Sequence, residues 1–388
     1  METSSSPPKP ITPRKRRWVL SLRRLMVLVL LVAVALGLFV NRGREQRLAR
    51  EIVQRKGASV IYTLGEFPEH MIGGQAGEWL NHHMDHDFFD SIQGISGQSD
   101  VLNNTDLAQV AAHARIREIR AINTKLPAAR RTADFLVHLR DLRHLGELEL
   151  SNLPLKAEDL AQISRLSGLN SLTLRNNRIT DDGLKPWKDL KHLDFLLLQG
   201  SPVTGRGLAP LRDMPKLQWV CLRESRIDSL QALRNHPVVE FLEIRDAPLD
   251  DSALPVLKTL PHLRELELSN TKVTDAGMIH LGSMSRLSSL NLSGTAITDA
   301  GLVHLASLST LVHLDLTRTA ITDAGLPHLL GLTHLETLSL TQTAITDAGL
   351  LTLARLPSLR AVDLRGTKVT PAGIAALQKA HPGVKIKY

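Results

Sequence analysis

The sequence predicts an α/β solenoid, a stack of one-strand, one-helix units with a parallel inner sheet, preceded by one apolar span. Three observations carry that reading. A phrase repeats, since ITDAGLVHLASLSTLVHLDLTRTA at 297–320 is followed at once by ITDAGLPHLLGLTHLETLSLTQTA. Apolar residues open the phrase at Leu155, Ile179, Val203, Ile227, Leu249, Val273, Ile297, Ile321, Ile345 and Val369, 24 residues apart except for a 22-residue step from Ile227 to Leu249. L-x-x-L-x-L runs in the same period, as in Leu263/Leu266/Leu268 and Leu311/Leu314/Leu316. A fixed period of this kind means stacked repeats, because one such unit cannot bury its own apolar face.

From the N-terminus, residues 1–17 are polar, basic and Pro-containing and are expected to be disordered. LMVLVLLVAVALGLFV follows, uncharged from Leu25 to Val40. It is short for a bilayer, but WVLSLRR extends it, with Arg23 and Arg24 reaching the headgroups, so a transmembrane helix is expected over 18–40. Ala33-Val34-Ala35 resembles a signal-cleavage site but lies inside the apolar run, which favours an uncleaved anchor. Basic residues flank both ends of the span, with a slight excess before it that places the repeats outside the cytoplasm. A juxtamembrane helix and N-terminal cap are expected over 41–115, and the repeat domain over 116–388.

The formal charge of +8 does not point to nucleic acid. Residues 1–60 carry a net +10 and the remainder a net −2, so the basic balance belongs to the membrane end and the repeat body is nearly neutral. Cys221 is the single cysteine, which excludes an intrachain disulfide and a cysteine metal cluster. No Gly-rich phosphate loop, serine-nucleophile elbow or paired metal motif occurs, so neither an enzyme nor a cofactor is expected.

Within one unit, residues 297–320, Thr298 is a suitable helix N-cap and Asp299 puts a carboxylate at the positive end of the helix dipole. Leu302, Leu305 and Leu308 recur every three residues, the pattern of a short helix or 3-10 segment. From Leu311 the period changes to two, and LVHLDL reads as a strand with Leu314 and Leu316 turned inward. Strands are therefore expected to start at Leu145, Leu169, Leu193, Leu217, Val239, Leu263, Leu287, Leu311, Leu335 and Leu359. IREIRAI at 116–122 is expected to precede them and VKIKY to close the array. This is the leucine-rich-repeat signature. Its ninth position normally holds an asparagine that bonds adjacent backbone; here it is Asn177, Ser201 and Ser225, then Thr271, Thr295, Thr319, Thr343 and Thr367, whose hydroxyls are expected to serve the same groups.

The T-x-[IV]-T-[DP]-A-G-[LMI] phrase resembles bacterial membrane-anchored leucine-rich-repeat proteins with 24-residue repeats. REQRLAREIVQRKGASVIY at 44–62 is similar to their helix-then-strand opening, and LQKAHPGVKIKY at 377–388 to their closing phrase. The resemblance implies the horseshoe fold and a protein-binding role. The phrase breaks at GRGL (205–208) and IDSLQALRNHP (227–237).

Horseshoes bind on the concave sheet face, which can be read column by column. The third strand position runs Glu147, Ser171, Phe195, Trp219, Phe241, Glu265, Ser289 and His313, with three adjacent aromatics in a chain that has few. The fifth position adds Leu197 and Cys221, and the seventh Arg175, Gln199, Arg223 and Arg245. With strands about 4.8 Å apart these form one patch of rings edged by guanidinium groups, the residue types that anchor protein interfaces. Phe195, Trp219 and Phe241 are read as apolar anchors, and Arg223 and Arg245 as readers of carboxylates or carbonyls on a protein or peptide ligand. The arginines around Cys221 suggest a lowered thiol pKa. His82 and His86 in NHHMDHDFFD are one helical turn apart, a weak candidate metal pair that reads better as a solvated polar face. His280, His304 and His328 form a 24-residue column on the convex side. The alternative to a binding scaffold is a structural cell-envelope component working through lateral packing of that convex face.

Overall fold

The computed structural model describes residues 59–63, 91–97, 118–122, 136–139, 144–153 and 155–388. The expected span at 18–40, most of the cap at 41–115 and the His82/His86 pair lie outside them. Among the described residues no helix is long and apolar enough to cross a membrane.

The strands of the described residues form one 14-stranded sheet in chain order. β1 (Ser59–Thr63), β2 (Ser91–Gly97) and β3 (Glu118–Ile122) lead into β4 (Glu147–Ser151), β5 (Ser171–Arg175), β6 (Phe195–Gln199), β7 (Trp219–Arg223) and β8 (Phe241–Arg245). β9 (Glu265–Glu267), β10 (Ser289–Asn291), β11 (His313–Asp315), β12 (Thr337–Ser339), β13 (Ala361–Asp363) and β14 (Lys385–Lys387) follow. β1 and β2 pair antiparallel, and from β2 onward every neighbour is parallel. β2, SIQGISG, lacks the leucine spacing, so the sequence does not predict it.

Leucine columns fill the space behind the sheet, with Leu305 and Leu316 at 0 % exposure and Leu314 at 2 %. Each buried side chain of this kind contributes about 1.5–3 kcal/mol, and the column has neighbours above and below it along the whole array. The outer segments are mixed. α-Helix occupies Asp275–Leu281, Asp347–Leu353 and Pro371–Ala380, and Asp299–Leu302 continues as a 3-10 turn at Val303–Ser307. Between 205 and 260, where the phrase breaks, the outer segments are 3-10 throughout: Ala209–Asp213, Gln231–Leu233 and Asp251–Thr259, with Pro210 opening the first and Pro255 inside the last.

The T-D-A-G phrase is explained by contacts between units. Thr298 caps its helix as expected, its hydroxyl accepting from the Ala300 amide. Asp299 opens the first turn of its own helix as expected and also serves the next unit: its carboxylate accepts from the Thr322 amide at 2.8 Å and the Thr322 hydroxyl at 2.5 Å. The same rung joins Asp251 to Thr274, Asp275 to Thr298, Asp323 to Thr346 and Asp347 to Thr370. Gly325 leaves room for it, since a Cβ there would collide with the Asp299 carboxylate. Pro371 stands where the next aspartate would be.

The ninth position does not behave as the sequence suggested. Asn177 reaches back one unit, accepting from the Leu153 amide and donating to the Leu150 carbonyl, both at 2.8 Å. Thr319 instead donates to Leu316, a carbonyl of its own unit, at 2.6 Å, and Thr271, Thr295, Thr343 and Thr367 do likewise. The threonine hydroxyl bonds within its own unit and does not reach the preceding one, and the Thr–Asp rungs tie these units through other groups.

Candidate functional site

Parallel pairing in direct register sets the columns. Phe195 opposes Trp219, Trp219 opposes Phe241, and Phe241 opposes Glu265. The Trp219 ring stacks on Phe241 with centroids 4.9 Å apart and planes 21° from parallel. Trp219 remains 41 % exposed, the most exposed large apolar side chain of the sheet face among the described residues, while Phe195 and Phe241 are half-buried. An aromatic pair left this open contributes less to the core than a buried leucine and presents a flat apolar surface to solvent.

The fifth-position residues are not part of that surface. Leu197 and Cys221 are 4 % and 3 % exposed, because each is flanked on the same face by longer side chains at the third and seventh positions. Burial, reinforced by the Glu243 carboxylate, pushes the Cys221 thiol up to about 12. This corrects the expectation of a lowered pKa: Arg223 stands near, but its charge is already spent.

The arginines are bonded within the protein. Arg223 clamps Glu243 by donating from Nε and Nη2, at 2.5 and 2.7 Å, and that hydrogen-bonded carboxylate is the main cause holding the Arg223 pKa above its ordinary value. Arg175 pairs with Glu149, and Arg245 with Asp246 at 3.1 Å. Glu243 is 4 % exposed, so the clamp neutralises a buried carboxylate. Arg175, Arg223 and Arg245 thus line the expected edge of the patch, each with a carboxylate of its own. Sequence reasoning missed Glu243, although one further step along the fifth column, after Cys221, would have found it.

On the other side of the rings stand carboxylates that form no ion pair among the described residues: Glu265, in register beside Phe241, and Glu240, preceding it, both half-buried. Glu267, next along β9, accepts from the Ser269 amide at 2.9 Å, and burial raises its pKa.

Elsewhere, His280, His304 and His328 are half-buried on the outer segments, each beside a leucine of 0 % exposure. Among the described residues no group of three or more His, Cys, Asp or Glu side chains is arranged to hold a metal ion.

A leucine-rich-repeat family model matches residues 169–186, 259–282, 285–306, 307–326 and 331–354, so the chain carries leucine-rich repeats. No curated protein matches it in sequence. Among solved structures it is similar to an internalin of Listeria monocytogenes, at 18 % identity and a TM-score of 0.56, covering 77 % of this chain and 85 % of that one. It also matches a plant peptide hormone receptor solved in a complex, at 14 % identity and a TM-score of 0.46, covering 75 % of this chain and 49 % of the receptor. A leucine-rich-repeat protein of Leptospira interrogans matches at 16 % identity and a TM-score of 0.38, covering 76 % of this chain and 90 % of that one. The likeness to the internalin shows a shared solenoid fold.

Proposed function

We propose that this chain is a membrane-anchored, non-catalytic binding scaffold whose concave sheet face captures a protein or peptide through Phe195, Trp219 and Phe241. The apolar segment at 18–40 anchors it and the repeats stand outside the cytoplasm. The observation that carries the reading is the Trp219–Phe241 stack, open to solvent on a sheet face whose other third-position residues are mostly small or polar. Rigid aromatic rings of this kind are the residues on which interface energy concentrates. The buried thiol and the internally paired arginines leave no nucleophile there to favour catalysis.

A photocrosslinking amino acid placed at Phe195 in the anchored chain tests the proposal, with the same group at Ile279, 54 % exposed on the outer helix, as its counterpart. The binding reading expects a discrete adduct from the Phe195 position and none from Ile279. Adducts from Ile279 alone would shift the function to the convex face and favour a structural envelope role.

A further inference from the structure

We propose that the aromatic platform receives a long cationic side chain, a lysine or arginine of a peptide segment, and not the carboxylate that the seventh-position arginines suggest. The inference rests on the binding role proposed above and names the chemistry of its partner.

Two independent features agree. The guanidinium groups that would have read an anion already face carboxylates: Arg223 is clamped on buried Glu243, Arg175 pairs with Glu149, and Arg245 gives its Nε to Asp246. At Arg223 an incoming carboxylate would have to displace the resident one and strand a buried glutamate, which is strongly unfavourable. The flank beyond Phe241 carries the opposite imbalance, with Glu265 in direct register and Glu240 beside it, neither in an ion pair among the described residues. The stacked rings lie between these two flanks.

The dimensions suit a lysine or arginine. Adjacent strands are about 4.8 Å apart, so a side chain whose methylenes lie across the Trp219–Phe241 stack brings its charged end over β9, where Glu265 stands. Basic side chains carry this division themselves, an apolar stem and a charged head. The ring faces add cation–π attraction for whatever part of the charge remains over them. A partner with basic residues would also be drawn in by the unpaired carboxylates at low ionic strength, with weaker attraction as salt rises.

Panning a random twelve-residue phage-displayed peptide library against the full-length chain in detergent micelles tests this, with parallel selections on Glu265→Gln and Trp219→Ala. Thermal melts of both variants serve as a fold control. The inference expects sequences enriched in Lys and Arg. A synthetic peptide of the enriched set should bind Glu265→Gln about fivefold more weakly and lose most of its affinity for Trp219→Ala. Acidic or uncharged sequences that still require Trp219 would overturn the cationic partner while leaving the concave binding surface intact. Sequences indifferent to Trp219→Ala, or no enrichment on the unmodified chain, would overturn both.

Discussion

Cys221 shows how far a residue's chemistry depends on its neighbours. Three arginines in the adjacent column suggest an activated thiolate, yet burial and Glu243 push the thiol up to about 12. At pH 8 the thiol therefore stays in its unreactive protonated form. Because it is the sole cysteine, the expectation is easily checked: iodoacetamide should leave the native chain unmodified and label it once guanidinium unfolds the array. His236 is a second such residue, 2 % exposed with its Nε2 bonded to the Leu211 carbonyl at 3.2 Å, and burial lowers its pKa. A depressed folded pKa means the unfolded chain binds the extra proton first. The stability His236 supplies is therefore complete above the unfolded value of about 6.5 and is lost as pH falls below it. Urea midpoints between pH 7.5 and 5 should fall in the unmodified chain and fall less in His236→Gln; an identical pH dependence in both would remove His236 as a cause.

Between elements, hydrogen bonds that the repeat phrase encodes do the joining. Asn177 holds two buried backbone groups of the preceding unit, whereas Thr319 holds one of its own. Asn177→Ala should therefore cost about 2–4 kcal/mol and Thr319→Val about 1 kcal/mol, read from chemical denaturation. Gly325→Ala should cost about 1–3 kcal/mol by driving a methyl into the Asp299 rung; no loss would show that the rung is dispensable. At the sheet, Arg223→Ala should destabilise more than Trp219→Ala, since it strands Glu243, and Glu243→Gln in the same chain should restore part of the difference. The shortening of β9, β10, β11 and β13 has a related cause. Glu267, Asn291, Asp315 and Asp363 at the fifth position accept from the amide two residues on, diverting it from the strand ladder. Leucine spacing made the strands and columns readable because both follow from a fixed period. The pairing within the columns was not readable, since Arg223–Glu243 joins neighbouring strands, 20 residues apart across the shortened unit, and depends on which long side chains flank which short ones.

Over the whole molecule, the array is a one-dimensional stack whose stability is the sum of its units and the interfaces between them. The interfaces are uneven. The Ser201 and Ser225 hydroxyls are buried without a partner among the described residues, and although Asp181 still holds Thr204 by a rung, Gly205 replaces the next rung aspartate, so the following unit is tied there by the single Gly205 amide to Asp228 bond. Native-state hydrogen exchange should therefore find the turn at 225–230, which has no rung, less protected than those at 271–276 and 295–300. Equal protection would mean that packing alone sets local stability. The aromatic platform spans β6 to β8 within this same central region, so a ligand bound there would bridge units that lack the Thr–Asp rung at 228, and binding can be separated from stability by a single substitution. That measurement is partner retention by Trp219→Ala in the anchored chain, crosslinked in cells and compared with the unmodified chain, alongside its thermal midpoint. The account predicts loss of the partner with a stability change of about 1–2 kcal/mol, the worth of one open ring pair. Full retention of the same partner, or loss accompanied by collapse of the fold, would contradict the claim that the concave rings exist for binding.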